Sequence, residues 1–166
     1  MNDLARRHNN LADDEVFLDA FIVAARIAQT THQQEKLDAL RNGLVNSISP
    51  DAPDVDEQAR FFRLVDQFSP SHIVMLRLLD RPTELFQQHI GHFEEVGHVS
   101  LAELVNVVEP QFADRYDWRD LLVADLADAR VALGFSSLGD IQSADGRFQR
   151  MTTSLGQRFL SFISID

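Results

Sequence analysis

The chain has 166 residues, of which 45% are hydrophobic and twelve are phenylalanine, so it can bury a core of domain size. It contains no cysteine, which excludes disulfides, thiolate nucleophiles and metals bound by thiolates. The formal net charge is −11, and an acidic surface keeps a protein soluble and repels nucleic-acid phosphates. The sequence shows neither a secretory signal nor a run of about eighteen apolar residues, so we expect a cytoplasmic protein that does not contact a membrane.

The N-terminal part, residues 1–49, has the pattern of a helical hairpin. A run of acidic residues ends at Glu15, where a helix macrodipole favours negative charge, and apolar residues then recur at helical spacing. The pair Thr30 and Thr31 predicts the break between the two helices, with Thr31 able to cap the second. Two prolines and two aspartates within residues 50–54 indicate a linker.

Residues 55–166 predict a helical core with a winged-helix-like C-terminal region. Ser69 and Pro70 form a helix start signal, and the apolar helix that follows is the expected centre of the core. Ser100 and Glu103 fit a capping box. The predicted elements that follow the central helix are helices over residues 83–96, 101–109 and 114–133, a glycine-rich hairpin over residues 134–147, and a closing helix. This order is that of a winged-helix domain. We therefore expect a mainly α fold, with an N-terminal helical hairpin and a winged-helix-like unit that contains a small β-hairpin.

Three segments of the chain carry a resemblance to known protein families. Residues 35–46, 62–76 and 151–163 resemble uncharacterised bacterial helical proteins with a winged-helix-like C-terminus. The middle segment is also similar to abortive-infection proteins, which act in phage resistance. In the last segment, the run from Met151 to Gly156 (Met-Thr-Thr-Ser-Leu-Gly) is similar to the wing end of MarR-type regulators. The resemblance implies a bacterial helical protein that acts in regulation or phage defence, and it implies no ligand or catalytic residue.

The helix predicted over residues 114–133 stands where a winged-helix domain has its recognition helix. A step of about 100° per residue places its apolar residues on one side, which we expect to be buried. These residues are Trp118, Leu122, Leu126, Ala129 and Leu133. The opposite side is expected to expose Asp117, Asp120, Ala124, Asp128 and Val131, with Arg119 and Arg130 toward the flank. A helix that reads DNA instead needs arginine, lysine, asparagine or glutamine at base edges.

We therefore predict that Asp117, Asp120 and Asp128 form an interaction site for a protein partner, and that nucleic acid is not a partner. The alternative is a DNA-binding transcriptional regulator of the winged-helix type. In that case the basic contacts to phosphate would come from the region of the wing and the closing helix. The residues that carry this alternative are Arg147, Arg150 and Arg158.

A histidine cluster is the candidate for metal chemistry. His89 and His92 are three residues apart, which lets two side chains on one helix face share a metal, and Glu95 follows at the same spacing. Each step of three residues drifts by about 60° around a helix, so His98 cannot converge with His89. The second alternative is therefore a metal-binding protein around His89, His92 and Glu95. The alternative interpretation, that these histidines lie at the boundary between the polar and apolar sides of a helix, requires no metal. We expect neither a metal nor a cofactor.

No catalytic motif accompanies these residues, because the sequence contains no phosphate-binding loop, dinucleotide-binding motif, nucleophile elbow or His-Glu-x-x-His. We therefore predict a non-enzymatic bacterial protein-interaction or regulatory protein. The adjacent Phe61 and Phe62 cannot both enter one narrow seam, so one of them is expected to face another helix or a partner. A homodimer is the expected assembly.

Overall fold

The computed structural model describes residues 15–93, 98–144 and 147–165, and within these ranges the chain is mainly helical, as expected. The eight α-helices of the described ranges are α1 (Glu15–Thr30), α2 (Gln34–Asn46), α3 (Val55–Gln67), α4 (Pro70–Asp80), α5 (Pro82–Gln88), α6 (Leu101–Val108), α7 (Tyr116–Asp128) and α8 (Ser154–Phe162). Short 3-10 turns lie at Ile90–His92, Pro110–Phe112 and Leu138–Asp140. The expected β-hairpin is not confirmed, since extended pairing among these residues is limited to isolated bridges.

Two compact units make up the described chain. Unit 1 contains the described residues up to Pro70 together with residues 159–165, and unit 2 contains residues 71–158. The last helix, α8, therefore contributes residues to both units. Helix α3 packs with α1 and α2 in unit 1, although it follows the proline-rich linker. The predicted division into residues 1–49, a linker and residues 55–166 stays a prediction.

The core of unit 1 is a cluster of phenylalanines. The rings of Phe61 and Phe62 both lie 5.3 Å from the ring of Phe162, measured between centroids, and Phe159 packs against Phe61 and Phe68. Phe61 and Phe62 are 0% and 1% exposed. The expectation that one of this pair faces another helix or a partner is met by another helix, since the end of α8 supplies aromatic surface that covers both rings.

Two asparagines of α2 hold the last turn of α8. The amide nitrogen of Asn42 donates to the carbonyl oxygen of Ile163 at 3.0 Å. The amide nitrogen of Asn46 lies 2.8 to 3.2 Å from the carbonyl oxygens of residues 161, 162 and 164. The last carbonyls of a helix have no partner within the helix, so these amides satisfy groups that would otherwise be left open.

Lys36, the single lysine of the chain, is buried in unit 1. Its ammonium group donates to the carbonyl oxygen of Asp66, in the last turn of α3, at 2.6 Å. A cation at this position complements the negative end of the helix macrodipole. Burial lowers the pKa of Lys36, and the nearby charge of Asp66 offsets part of that effect.

Helix α4, which lies in unit 2 from residue 71 onward, begins at Pro70 as the sequence predicts and is buried nearly all round. Helix α6 begins with the predicted capping box. The hydroxyl of Ser100 accepts the N–H of Glu103, and the carboxylate of Glu103 accepts both the hydroxyl and the N–H of Ser100. These two hydrogen bonds to the carboxylate hold the pKa of Glu103 below its usual value.

We expect the stabilisation from this capping box to depend on pH. A carboxyl whose folded pKa is lowered stabilises the fold above its unfolded pKa, and this contribution is lost as the pH falls through the folded pKa. Ser100→Ala should cost about 1 kcal/mol at pH 7, the usual cost of losing an N-cap. The difference between the wild type and Glu103→Gln should shrink as the pH falls below about 4.3. Urea unfolding at a series of pH values measures both, and a difference that stays constant down to pH 3 would contradict the assignment.

Candidate interaction surfaces

The largest exposed apolar residues of unit 1 cluster on α1. Its buried side carries Ala20, Ala24 and Ile27. On the other side, the exposed fractions of Leu18, Phe21 and Ile22 are 39%, 50% and 62%. An apolar face of this kind, made of large side chains on one helix, is typical of a surface that binds another protein. We name Leu18, Phe21, Ile22 and Ala25 the α1 face.

One edge of the α1 face is charged. Glu15, Asp19 and Arg26 are all exposed. A step of about 100° per residue places these three side chains within about 40° of one another around the helix. The edge therefore carries negative charge in the first half of α1 and positive charge in the second half.

Helix α7 presents the predicted acidic residues to solvent, because Asp117, Asp120 and Asp128 are all exposed. The helix ends at Asp128 rather than at the predicted Leu133. The chain takes a left-handed turn at Arg130, whose φ is 66°, and there the N–H of Arg130 bonds to the carbonyl of Ala127. The next N–H, that of Val131, bonds to the carbonyl of residue 126, which completes a Schellman cap. Because this left-handed position holds an arginine rather than the usual glycine, no local residue indicated that the helix ends here.

The early end of α7 reverses the expected exposure of two residues beyond it. Val131, expected on the exposed side, is 0% exposed, and Leu133, expected to be buried, is 39% exposed. Both residues follow the left-handed turn, so the helical wheel no longer applies to them. Within the helix, the expected burial of Leu122 and Leu126 agrees with the structure.

Arg119, expected at the flank of α7, is buried and only 2% exposed. Its guanidinium donates to the amide oxygen of Asn106 at 2.6 Å and lies 4.6 Å from the centre of the Tyr116 ring. Its Nε has no hydrogen-bond partner among the described residues. Stacking on an aromatic ring and a hydrogen bond to an amide partly replace the water that a buried guanidinium loses. Because of this burial, Arg119 does not add positive charge to the outer surface of α7.

A pair of side chains that sequence reasoning did not predict joins α4 to α7. The Nε2 of His72 lies 3.1 Å from a carboxylate oxygen of Asp125, and the His72 side chain is 11% exposed. The two residues are 53 positions apart in the sequence. No local spacing signals such a contact.

The arginines of the DNA-binding alternative have different surroundings. The Nε of Arg150 donates to the carbonyl oxygen of Asp80 at 2.9 Å and lies 3.6 Å from its carboxylate, which Arg81 also approaches, at 3.5 Å. Arg147 is exposed, next to the bridge that it forms with Ala144. Arg158 is also exposed, on α8. A small cavity of about 180 Å³ is lined by Asp80, Arg81, Pro82, Thr83, Glu84, Phe148 and Arg150.

The histidine cluster does not lie on one helix. Helix α5 ends at Gln88 instead of the predicted residue 96, and the chain passes through a 3-10 turn that contains Gly91, a residue that disfavours continuation of a helix. The rings of His89 and His92 are 6.0 Å apart between centroids, and each Nδ1 faces a nearby backbone carbonyl. Glu95 lies outside the described residues. Within the described ranges, no three His, Asp or Glu side chains come together as a metal site.

None of the helices in the described part of the chain has the length and apolar character needed to cross a membrane. Comparison with protein-family models finds no match, and comparisons with curated proteins and with solved structures find none either.

Proposed function

We propose that this chain is a non-enzymatic protein that acts by binding another protein chain, and that the α1 face is its binding surface. The observation that supports this most is the exposure of Leu18, Phe21 and Ile22 on one side of a sixteen-residue helix. Leaving large apolar side chains in water is unfavourable. A partner that covers them stabilises the complex by roughly 25 cal/mol for each Å² of apolar surface that it buries. The exposed acidic residues of α7, Asp117 and Asp120 among them, offer a second, polar surface for regulation.

We propose further that unit 2 has a winged-helix-like arrangement. Hydrogen bonds from Leu101 N–H to the carbonyl of Ile141 and from Ser143 N–H to that of Val99, both 2.8 Å, pair the segment before α6 with the segment after α7. Ala144 and Arg147 exchange two backbone hydrogen bonds. These backbone pairings support the proposal, because a winged-helix domain pairs short extended segments beside its helices.

The same arrangement does not favour DNA binding. The helix in the recognition position exposes Asp117, Asp120 and Asp128, and carboxylates near a phosphate backbone weaken the electrostatic term that dominates DNA affinity. In addition, Arg150 is already paired with Asp80. We therefore keep the protein-binding function as the proposal and the winged-helix arrangement as its scaffold.

Photo-crosslinking in native cells tests the proposed function. A benzophenone amino acid in place of Ile22 should give a covalent adduct to a protein on illumination. The same group in place of Val55, which is 52% exposed at the start of α3, is the matched control and should give little or no adduct. If position 22 gives no adduct, or no more than position 55, the α1 face is not a binding surface and the proposal fails.

A further inference from the structure

We infer that the α1 face pairs with the α1 face of a second copy of this chain, in an antiparallel arrangement about a two-fold axis at the level of Phe21 and Ile22. This inference rests on the proposed function and names the partner. The α1 face is symmetric about that level, since Leu18 and Ala25 are equally far from it in sequence. A self-complementary surface of this kind is what an isologous dimer requires.

The charged edge of α1 favours the second copy over an unrelated partner. A two-fold axis perpendicular to a helix brings each edge against the same edge of the other helix, with the direction reversed. With the axis between residues 21 and 22, Arg26 of one copy lies level with the midpoint between Glu15 and Asp19 of the other. At about 1.5 Å per residue, each carboxylate is offset from the arginine by about 3 Å along the helix. An arginine side chain spans this offset easily, so each copy contributes one cation to two carboxylates of the other.

A parallel pair would not use these charges. A two-fold axis parallel to α1 brings the charged edge of one copy against the opposite edge of the other. That opposite edge carries Phe17 and Ala28, and it borders the side of α1 that carries the buried Ala24. Because it contains no charged residue, Arg26 would face apolar side chains without a carboxylate. The charge pattern therefore selects the antiparallel arrangement.

The size of the surface sets the expected affinity. A helix of sixteen residues is about 24 Å long, and a single helix pair buries less than the roughly 800 Å² per partner of a standard stable interface. We therefore expect a reversible dimer whose population rises with protein concentration. Its dissociation constant should be on the order of micromolar.

A charge-reversal cycle, read by analytical ultracentrifugation, tests the arrangement. Glu15→Arg/Asp19→Arg places two cations against Arg26 of the other copy, and Arg26→Asp places a carboxylate against Glu15 and Asp19. Each of these two partial variants makes the charge contacts repulsive at two symmetric positions, so we expect each to raise the dissociation constant of the dimer at least about tenfold. The triple variant Glu15→Arg/Asp19→Arg/Arg26→Asp exchanges every charge of the contact and should return to within about threefold of the wild type. Arg63→Asp, the same charge change at an exposed position of α3, is the control and should leave the dimer unchanged. Circular dichroism melts check that each variant is folded.

A second measurement reads the orientation without relying on charge. The chain has no cysteine, so Leu18→Cys and Ala25→Cys each carry one thiol. When the two variants are mixed, a short bismaleimide should join position 18 of one copy to position 25 of another more efficiently than it joins 18 to 18 or 25 to 25. A preference for 18 to 18 would overturn the antiparallel arrangement, and so would a triple charge variant that dimerises as weakly as the two partial variants.

A wild type that stays monomeric at every concentration would overturn the inference as a whole. If the benzophenone group at position 22 then gave an adduct to a different protein in cells, the proposed function would stand, and a second copy would be excluded as the partner of the α1 face. If Ile22 gave no adduct either, both would fail.

Discussion

Replacing Gly156 by alanine should destabilise unit 2 by about 3 kcal/mol or more, a larger cost than most single substitutions cause. A Cβ atom at this position would lie 2.0 Å from the carbonyl oxygen of Val131 and 2.9 Å from its carbonyl carbon. These atoms belong to the backbone, so no side-chain rotation relieves the clash. The start of α8 cannot move away either, because the Thr153 hydroxyl donates to the carbonyl of Arg130 at 2.7 Å and the Thr153 N–H bonds to that of Val131.

Urea unfolding monitored by circular dichroism measures this effect. Gly91→Ala is the control, since a Cβ at residue 91 meets no heavy atom within 4 Å. We expect the control to change the free energy of unfolding by no more than about 0.5 kcal/mol. If Gly156→Ala were as stable as Gly91→Ala, the close approach of α8 to residues 130 and 131 would be contradicted.

Phe162→Ala should destabilise unit 1 by about 3 to 5 kcal/mol, the usual range for the loss of a buried phenylalanine. Phe162 is 2% exposed, and its ring contacts those of Phe61 and Phe62. Gly43 leaves room for the ring, because a Cβ at residue 43 would lie 2.8 Å from it. Truncation therefore opens a cavity among side chains that are held on several sides and cannot collapse fully.

Phe21→Ala provides the matched control, because it removes the same atoms from a residue that is 50% exposed. We expect it to change the free energy of unfolding by less than about 1 kcal/mol and, instead, to weaken the dimer. Equal losses of stability in Phe162→Ala and Phe21→Ala would show that the α1 face is part of the core rather than a surface.

Several local features were predictable because their signals lie within a few residues. Pro70 begins α4, and Ser100 with Glu103 makes the capping box. The threonines and glycine near residue 153 marked the entry to the closing helix. There the Thr153 hydroxyl accepts the N–H of Gly156, as an N-cap does. Pro70 lacks the N–H that a first turn leaves unpaired, and the Ser100 and Thr153 hydroxyls accept N–H groups of their own helix ends, so these signals do not depend on distant parts of the chain.

The features that the sequence did not reveal depend on contacts between distant segments. The left-handed residue at position 130 is an arginine, so nothing local marked the end of α7. The burial of Arg119 depends on Asn106 and Tyr116, and the pairing of His72 depends on a residue of another helix.

The candidate site was missed for the related reason that α1 is apolar on more than one side. Periodicity alone does not show whether Phe21 is buried, because a sequence does not show which of two apolar sides meets the core. For Phe61 and Phe62 the sequence left open whether another helix or a partner covers one of them, and the distant end of α8 covers both. The exposed α1 face therefore emerged only when the position of α1 against α2 and α3 was known.

The measurement that tests the central claim most directly is the mass of the protein in solution as a function of concentration, for the wild type and for Ile22→Glu. We predict that the weight-average mass of the wild type rises from that of a monomer toward that of a dimer, whereas Ile22→Glu remains a folded monomer. Val55→Glu, which adds the same charge at a comparably exposed aliphatic residue, should behave as the wild type does. A wild type that is monomeric throughout, or an Ile22→Glu variant that dimerises as the wild type does, would contradict the claim that a second copy covers the α1 face.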